Sequence, residues 1–404
     1  MIDLKRVTFF SFFLMAVIIG FGTLRAFQNL GPDFFVFFKA GEHVLTNHSH
    51  WIYQDSPDRF LYAPGFAWLM SGFALLSREM GLAIWCLLKA FGWGLFVKKA
   101  SENLKFFGQP AWVPASLALV FFARPLIIDF QYGQINSFIV IVGFLTLLNR
   151  IKSNESTQSS FLYWFLFSIL AFSKLFPLPM ILVPLMATSG LPPKRVQAER
   201  LGVLLGLIFI GGLPFLFEGR NALDLYFQWF VALKSKGLPI ETHNQSFIAF
   251  LIRFFTDVKT PVIAMGGKNI GLGYEWLSLK TVQLIGSIFS VLVSGLIVYW
   301  VGVFKKKSPW IWMTVLLALL IVPSHLIWKP YFIFGIPIAA LAIKNTLEDW
   351  SSGWFDVVLL FLVFFSINFT SFDFVGMNLY LYLEASSIFL FSYLVLVVRT
   401  IQKN

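Results

Sequence analysis

Charge and cysteine are both scarce in this chain. Only 13% of its 404 residues are charged, and Cys86 is its single cysteine. A soluble domain carries about a quarter charged residues, so the composition excludes an ordinary soluble globular protein. One thiol excludes a disulfide within the chain and a cysteine-based metal cluster. The sequence also lacks a Walker-type glycine loop, an H-E-x-x-H segment and a G-x-S-x-G segment, which excludes the soluble enzymes that depend on those motifs.

Long apolar runs are what the sequence has instead. Hydrophobic residues make up 58% of the chain, in recurring runs of about 18 to 22 residues that can each cross the membrane as a helix. The pattern predicts an all-α polytopic membrane protein with about twelve transmembrane helices, within a range of roughly 10 to 13. One of these spans is expected over residues 174–189. Proline and glycine predict helix breaks at 123–125, 174–177 and 212–214.

The positions of the basic residues predict the topology. The net charge of +11 comes mostly from residues between apolar runs, such as Lys305–Lys307, so it indicates cytoplasmic anchors and not a nucleic-acid site. The first run, from about Val7 to Phe27, is expected to be a retained helix, and both termini are expected in the cytoplasm. Residues 1–404 are expected to form one membrane domain in a bacterial inner membrane.

Two segments then remain on the external side of the membrane, 29–78 and 219–280. Both are too apolar and aromatic for linkers, and they predict amphipathic helices on the membrane surface. The apolar stretch 61–77 is expected to dip into the membrane or lie at its interface, because a full span would move several basic connections outside.

Ionisable residues that break this pattern mark the candidate site. Arg124, Lys174 and Lys329 lie in short external connections, where the positive-inside pattern disfavours cations, so each needs an anionic partner. The structural alternatives are that the lysines reach lipid headgroups and that Arg124 pairs with Asp129. Asp33 follows the first helix and is expected at the same depth in the membrane as these basic residues.

These residue types suit one reaction. A lipid-linked phosphosugar donor presents a phosphate that Arg or Lys can bind, and its acceptor hydroxyl needs a general base such as Asp33. The structural alternative for Asp33 is a helix N-cap, with which a catalytic role is compatible. The amide side chains in GQIN and HNQS can bind sugar hydroxyls or form hydrogen bonds between helices. The aromatic residues Tyr62, Trp328 and Tyr331 can stack on a sugar ring or belong to the interfacial aromatic belt.

Several short motifs occur in order along the chain. They are G-x-D-F-x-x-F-x-x-A-x-x-x-L at 31–45, W-x-Y with F-L-Y-A-P at 51–64, GQIN at 133–136, SKLFP at 173–177, NQSFIAFLIR at 244–253 and PSHLIWKPYF at 323–332. In order and spacing they resemble glycosyltransferase family 87, also called DUF2029, whose members are polyprenyl-phosphate-mannose-dependent mannosyltransferases of the GT-C fold.

The resemblance implies inverting transfer of a hexose, usually mannose, from a polyprenyl-phosphate sugar to a lipid-linked or envelope glycan acceptor outside the cytoplasm. It implies that Asp33 is the general base and that Lys174 is the lysine of the lysine–proline element, here with Leu175 and Phe176 inserted. His325 precedes Trp328 in this chain, where the family has its late histidine after the tryptophan. The Asp-x-Asp of other GT-C families is absent, so no metal and no cofactor are expected.

The full set of expected site residues is larger. The donor phosphate is expected to contact Lys174, Arg124, Lys329 and Arg253, and the sugar or acceptor is expected to contact Tyr62, Gln134, Asn136, Asn244, Gln245, His325 and Trp328. Two other functions remain open: a transporter or flippase of a lipid-linked glycan, and a GT-C enzyme that modifies lipid A with another sugar.

Overall fold

The chain folds almost wholly into helices in a computed structural model. The structure describes residues 4–54, 60–152, 155–187, 190–235, 240–262, 268–270, 273–302, 308–349 and 353–403. The predicted anchor Lys305–Lys307 lies outside these residues. The expectation of an all-helical polytopic membrane protein is confirmed.

In the described part of the chain, two short β-hairpins lie between the helices. The helices are α1 (Leu4–Asn29), α2 (Pro32–Leu45), α3 (Pro64–Ala74), α4 (Arg78–Asn103), α5 (Trp112–Phe121), α6 (Ala123–Tyr132), α7 (Asn136–Ile151), α8 (Thr157–Lys174), α9 (Val183–Met186), α10 (Pro193–Glu218), α11 (Ala222–Ser235), α12 (Phe247–Phe255), α13 (Leu279–Gly302), α14 (Pro309–Leu319), α15 (Ile336–Glu348), α16 (Trp354–Asn368), α17 (Phe372–Val375), α18 (Met377–Ala385) and α19 (Ile388–Gln402). Short 3-10 helices cover Ser49–Trp51, Leu178–Leu182, Gly219–Asn221 and Lys329–Gly335. Strands β1 (Lys105–Phe106) and β2 (Gln109–Pro110) form one antiparallel pair, and β3 (Thr260–Val262) and β4 (Lys268–Ile270) form another.

Five helical segments in the described part of the chain are long and apolar enough to cross a membrane: Arg6–Asn29, Arg78–Asn103, Pro193–Ser235, Leu279–Gly302 and Lys329–Glu348. Two bent pairs, α5 with α6 and α18 with α19, raise this number to seven if each pair is one span. Helices α7, α14 and α16 are apolar but shorter. The count of about twelve spans and the GT-C-type fold stay predictions.

The predicted break at 123–125 is present. Helices α5 and α6 meet at Phe122 with a bend of 67°. Pro125 has no N–H to donate to the Phe121 carbonyl, so a continuous helix would lose a hydrogen bond here.

The predicted span over 174–189 is wrong. Helix α8 ends at Lys174, because Leu175 takes a left-handed backbone conformation with φ 56°. The described residues that follow form only the 3-10 helix Leu178–Leu182 and the four-residue α9. Pro177, Pro179 and Pro184 remove backbone donors at short intervals, which prevents a long regular helix.

The predicted break at 212–214 is also wrong, because α10 continues through Pro214 to Glu218. Pro214 cannot donate to the carbonyl of Ile210, and α3 approaches that carbonyl closely. A Cβ added to Gly65 would lie 1.8 Å from the Ile210 oxygen, so only glycine allows this approach. Gly202 and Gly206 likewise let α10 pack directly on the backbone of α8, the close packing that small residues permit in membranes.

The described residues divide into two compact units. One comprises Ile19–Phe96 and Ile127–Gly237 and is called here the Asp33 unit; the other comprises Met1–Ile18, Val97–Leu126 and Leu238–Asn404 and is called the Lys329 unit. The prediction of one membrane domain over 1–404 stays a prediction.

The two segments expected outside the membrane do contain short helices. Residues 29–78 hold α2, the 3-10 helix Ser49–Trp51 and α3, and residues 219–280 hold α11, α12 and the β3–β4 hairpin. Helix α3 has 11 residues, so it is about 16 Å long and shorter than the hydrocarbon layer. The position of both segments at the membrane surface stays a prediction.

Candidate functional site

Asp33 lies in the first turn of α2. Gly31 occupies the N-cap position with φ 50°, and Pro32 begins the helix, as its fixed backbone angle favours. The alternative of Asp33 as the N-cap is therefore wrong. Asp33 is instead a half-buried acidic residue in the first helical turn, the end of a helix that favours negative charge.

The QYGQINS segment packs against this end of α2. Gly133 has φ 68°, and a Cβ added to it would lie 2.5 Å from Cβ of Phe34. The Gln134 N–H donates to the main-chain oxygen of Asp129 at 3.0 Å, which closes the turn between α6 and α7. Asp33 and Tyr132 lie close enough to interact electrostatically. The segment is thus positioned beside Asp33 by a close backbone contact.

A chain of polar contacts leads from this segment to Lys174. The Lys174 ammonium donates to Asn136 Oδ1 at 2.7 Å, and Asn136 Nδ2 donates to Gln134 Oε1 at 2.5 Å. Gln134 and Asn136 are buried, whereas Lys174 is half-buried. The two amides therefore hold the lysine by its head group.

Tyr62 gives a second link between Lys174 and α2. The Lys174 ammonium lies 5.5 Å from the centre of the Tyr62 ring, within cation–π range. The Tyr62 ring packs edge-on against Phe37 at 4.6 Å. Phe37 is one helical turn after Asp33, on the same face of α2. The structure thus brings together Lys174, Tyr62, Gln134 and Asn136 within the Asp33 unit.

Lys89 and Asp129 form a buried ion pair that the sequence analysis missed. Lys89 Nζ lies 2.7 Å from Asp129 Oδ2 and donates to the Asp129 main-chain oxygen at 2.7 Å; both side chains are fully buried. Ser137 donates to Asp129 Oδ2 at 2.5 Å, and Trp93 Nε1 donates to Ser137 at 3.0 Å. Asp129 thereby fixes the QYGQINS segment at Gln134 and at Ser137. A lysine inside the apolar run of α4 was the available signal.

The Lys329 unit holds a second charged cluster. Glu384 Oε1 lies 2.7 Å from Lys329 Nζ and 3.7 Å from Arg124 NH2. Arg124 also donates to Thr370 Oγ1 at 3.1 Å. The alternative pairing of Arg124 with Asp129 is therefore wrong. Five residues along a helix correspond to a rotation of about 500°, so the two side chains leave α6 about 140° apart.

Arg253 is fully buried and its donors are occupied by the protein. The guanidinium donates to the carbonyls of Ala385, Glu241 and Asn244 and to Ser387 Oγ, at 2.8 to 3.0 Å. Four of its five N–H groups are thus used. Two of these bonds tie α12 to Ala385 and Ser387 at the junction of α18 and α19, and two tie it to the segment before α12. This arrangement supports a structural role for Arg253.

Asn244 and Gln245 are also buried and bonded to the backbone. Asn244 donates to the His325 carbonyl at 3.0 Å and accepts from Ile327 N at 3.0 Å. Gln245 Nε2 donates to the Glu384 carbonyl at 2.9 Å. These amides connect the segment before α12 to the segment before Lys329.

His325, Trp328 and His243 are half-buried in the same unit. The His325 ring nitrogen Nε2 lies 3.4 Å from Ser290 Oγ. Burial lowers the pKa of His243, and the positive charges of Lys329 and Arg124 lower it further. His243 was not among the expected site residues, although it directly precedes NQSF.

The two clusters offer different chemistry. The one around Lys174 combines an ammonium and an aromatic ring with the nearby carboxylate of Asp33. These groups suit a reaction that uses a base and releases a charged leaving group. The one around Lys329 has two cations about a buried carboxylate, which suits an anion. Among the described residues, no group of three or more His, Cys, Asp or Glu side chains is placed to hold a metal ion.

Comparison with known proteins adds one match. No curated protein and no solved structure matches the chain. The glycosyltransferase family 87 domain matches residues 60–323, which include Tyr62, Lys174 and the QYGQINS segment. Asp33 precedes the matched range, and Lys329 and Glu384 follow it. Because the match covers well over half of the chain, this membrane protein belongs to glycosyltransferase family 87.

Proposed function

We propose that the protein transfers a hexose, mannose by the family resemblance, from a polyprenyl-phosphate sugar to a lipid-linked or envelope glycan acceptor. Family membership implies transferase activity. The donor, the sugar, the acceptor and the roles of individual residues are the content of the proposal. Transfer takes place on the external side of a bacterial inner membrane, with both termini in the cytoplasm.

The proposed reaction is a single displacement at the anomeric carbon. Asp33 accepts the proton of the acceptor hydroxyl while that oxygen bonds to the anomeric carbon. The bond between the anomeric carbon and the phosphate oxygen breaks, and polyprenyl phosphate leaves with the bonding electrons. The anomeric configuration is therefore inverted.

Lys174 is the proposed partner of the leaving phosphate. Its ammonium is held by Asn136 at 2.7 Å and is half-buried, so it is oriented before the donor binds. A preorganised cation stabilises the charge that develops on the phosphate in the transition state. Tyr62, whose ring lies 5.5 Å from the same ammonium, is the proposed contact of the sugar.

Gln134 and Asn136 take a supporting role in this proposal. Both side chains are buried and bonded to each other or to Lys174. They position the cation, and their proposed contact with sugar hydroxyls is limited to the atoms that face Lys174. The charge on the phosphate is assigned to basic side chains and to no metal ion, so we expect transfer to persist in EDTA.

One observation carries the proposal: the polar chain from Lys174 through Asn136 and Gln134 ends at Gly133, which packs against Phe34 beside Asp33. The proposed base and the proposed phosphate-binding cation are thus both attached to the QYGQINS segment. A flippase needs a cation for the headgroup but has no use for a base tied to it.

The test is sugar transfer by the purified, reconstituted protein. Proteoliposomes receive polyprenyl-phosphate-mannose with a radiolabel in the sugar, together with a bacterial envelope lipid extract as acceptor. The proposal predicts label in a new glycolipid and release of polyprenyl phosphate. Movement of intact labelled donor across the bilayer without transfer would instead establish a flippase. Label found in lipid A only would identify lipid A as the acceptor of mannose.

A further inference from the structure

Glu384 is a buried carboxylate between two cations of the Lys329 unit. Its side chain is fully buried, and its Oε1 atom lies 2.7 Å from Lys329 Nζ and 3.7 Å from Arg124 NH2. The side chains of Lys329 and Arg124 are 8% and 17% exposed, so solvent reaches the cluster from the side of the cations. Sequence motifs gave no indication of Glu384.

The surrounding structure fixes this trio. The main-chain oxygen of Glu384 accepts from Gln245 Nε2, and the adjacent Ala385 oxygen accepts from Arg253 Nε, both at 2.9 Å. The two cations share the ring of Phe389, with centroid distances of 5.3 and 5.7 Å. The distance between the cations and the carboxylate is therefore set by packing as well as by charge.

Charge in the trio is not balanced. Two cations face one carboxylate, and buried charge without a counter-charge is costly. Arg253, also buried, interacts electrostatically with Glu384 as well, but its guanidinium donates to three carbonyls and a hydroxyl of the protein. Two further acids, Asp373 and Glu241, interact electrostatically with Arg124 and Arg253, respectively, but the first is exposed and the second is half-buried, so solvent screens them.

We propose that Arg124, Lys329 and Glu384 form a binding site for a lipid-borne phosphodiester, and that Glu384 sets the preference of this site for a single negative charge. A phosphodiester carries one negative charge, whereas a phosphate monoester carries nearly two above about pH 7. One negative charge matches the net charge of the trio. A dianion would bring its second charge close to the Glu384 carboxylate.

The charge preference of this site distinguishes the sugar donor from the released product. In the proposed function the sugar donor is a phosphodiester and the released carrier lipid is a monoester. Glu384 therefore favours the donor over the product. The inference rests on the proposed function only for the identity of this lipid.

The test compares two probes that differ by one methyl group and one charge: geranyl phosphate and its methyl ester. Binding of each to the purified full-length protein is measured by titration calorimetry in detergent at about pH 8, where the monoester is a dianion. The measured quantity is the ratio of the two Kd values, monoester over diester. Glu384→Gln is expected to lower this ratio about tenfold, because the site gains a net positive charge.

Lys329→Met is expected to raise the same ratio, since it removes a positive charge. It decides the question by itself if Glu384→Gln does not fold. Glu348→Gln is the matched control, because Glu348 pairs with Lys344 elsewhere in the same unit. The Kd ratio of this variant should stay at the wild-type value. A ratio that does not change in Glu384→Gln, or that moves in the same direction in both variants, would overturn the inference.

The result is distinguishable from a failure of the proposed function. The titration contains no acceptor, so it reports binding without turnover. If the Kd ratio falls in Glu384→Gln and rises in Lys329→Met but the protein transfers no mannose, the proposed reaction is refuted and the phosphodiester site is supported. Mannose transfer with unchanged ratios would refute only the site.

Discussion

The ammonium group of Lys174 lies 2.7 Å from Oδ1 of Asn136, which is itself bonded to Gln134. This contact joins the end of α8 to the start of α7. It turns a lysine at a helix end, which is flexible in most surroundings, into a cation with a set direction.

Replacing Lys174 by Met should remove the proposed phosphate contact and preserve the bulk of the side chain. We expect kcat for mannose transfer to fall about 100-fold or more, the typical cost of losing one donor to a developing charge. Stability should fall by about 1–3 kcal/mol, because the buried Asn136 Oδ1 loses this donor, and the protein should stay folded. The control is Lys280→Met, at an exposed lysine at the start of α13, which should retain wild-type kcat.

Gly133→Ala should disturb the support of Asp33. A Cβ there would lie 2.5 Å from Phe34 Cβ, and φ is 68°, which side chains rarely adopt. Strain and overpacking should together cost about 2–4 kcal/mol of folding free energy. The rate of mannose transfer should fall by more than the loss of folded protein accounts for. Gly108→Ala separates the two causes, because Gly108 has φ 75° but nothing within 4 Å of an added Cβ. Equal melting temperatures of the two variants in detergent would contradict the close packing on α2.

The Lys89–Asp129 pair gives a stability prediction. Lys89→Met leaves the Asp129 carboxylate fully buried with no cation beside it, which should cost about 3–5 kcal/mol. The double variant Lys89→Met with Asp129→Leu should recover much of that loss, because both buried charges are gone. Thermal unfolding of both variants checks this order, and a double variant less stable than the single one would contradict it.

Sequence alone was sufficient for the class of protein and for part of the site. Apolar runs of adequate length and breaks such as Pro125 depend on local chemistry, so they are visible in the chain. The continuation of α10 through Pro214 was not visible, because a tertiary contact favours it: Gly65 of α3 approaches the carbonyl that Pro214 leaves without a donor.

Ion-pair partners were the least predictable feature. Arg124 is five residues from Asp129 but pairs with Glu384, 260 residues later in the chain. Lys89 and Asp129 are 40 residues apart in the chain and lie on two different helices. No periodicity connects such positions, and only the costly presence of a charge in an apolar helix marks them.

His243 should make stability depend on pH. Burial and the charges of Lys329 and Arg124 lower its pKa from the ordinary 6.5, so the folded protein holds it neutral. Above pH 6.5 both the folded and unfolded states are neutral at this residue, and its contribution is complete. Below that pH the unfolded state gains a proton first, so stability should fall until the folded pKa is passed.

His243→Gln should flatten this part of the profile. The measurement is the melting temperature of wild type and variant between about pH 8 and pH 5. A wild-type protein that gains stability on acidification through this range, with the gain absent in the variant, would contradict the direction of the pKa shift.

The most direct test of the central claim is the rate of mannose transfer by Asp33→Asn. The amide preserves the size of the side chain but cannot accept the proton of the acceptor hydroxyl. Glu42→Gln, an exposed acid on the same helix, is the matched control. We predict that Asp33→Asn lowers kcat about 10²- to 10⁴-fold with an unchanged melting temperature, while Glu42→Gln retains wild-type kcat. Transfer by Asp33→Asn at the wild-type rate would contradict the assignment of Asp33 as the base.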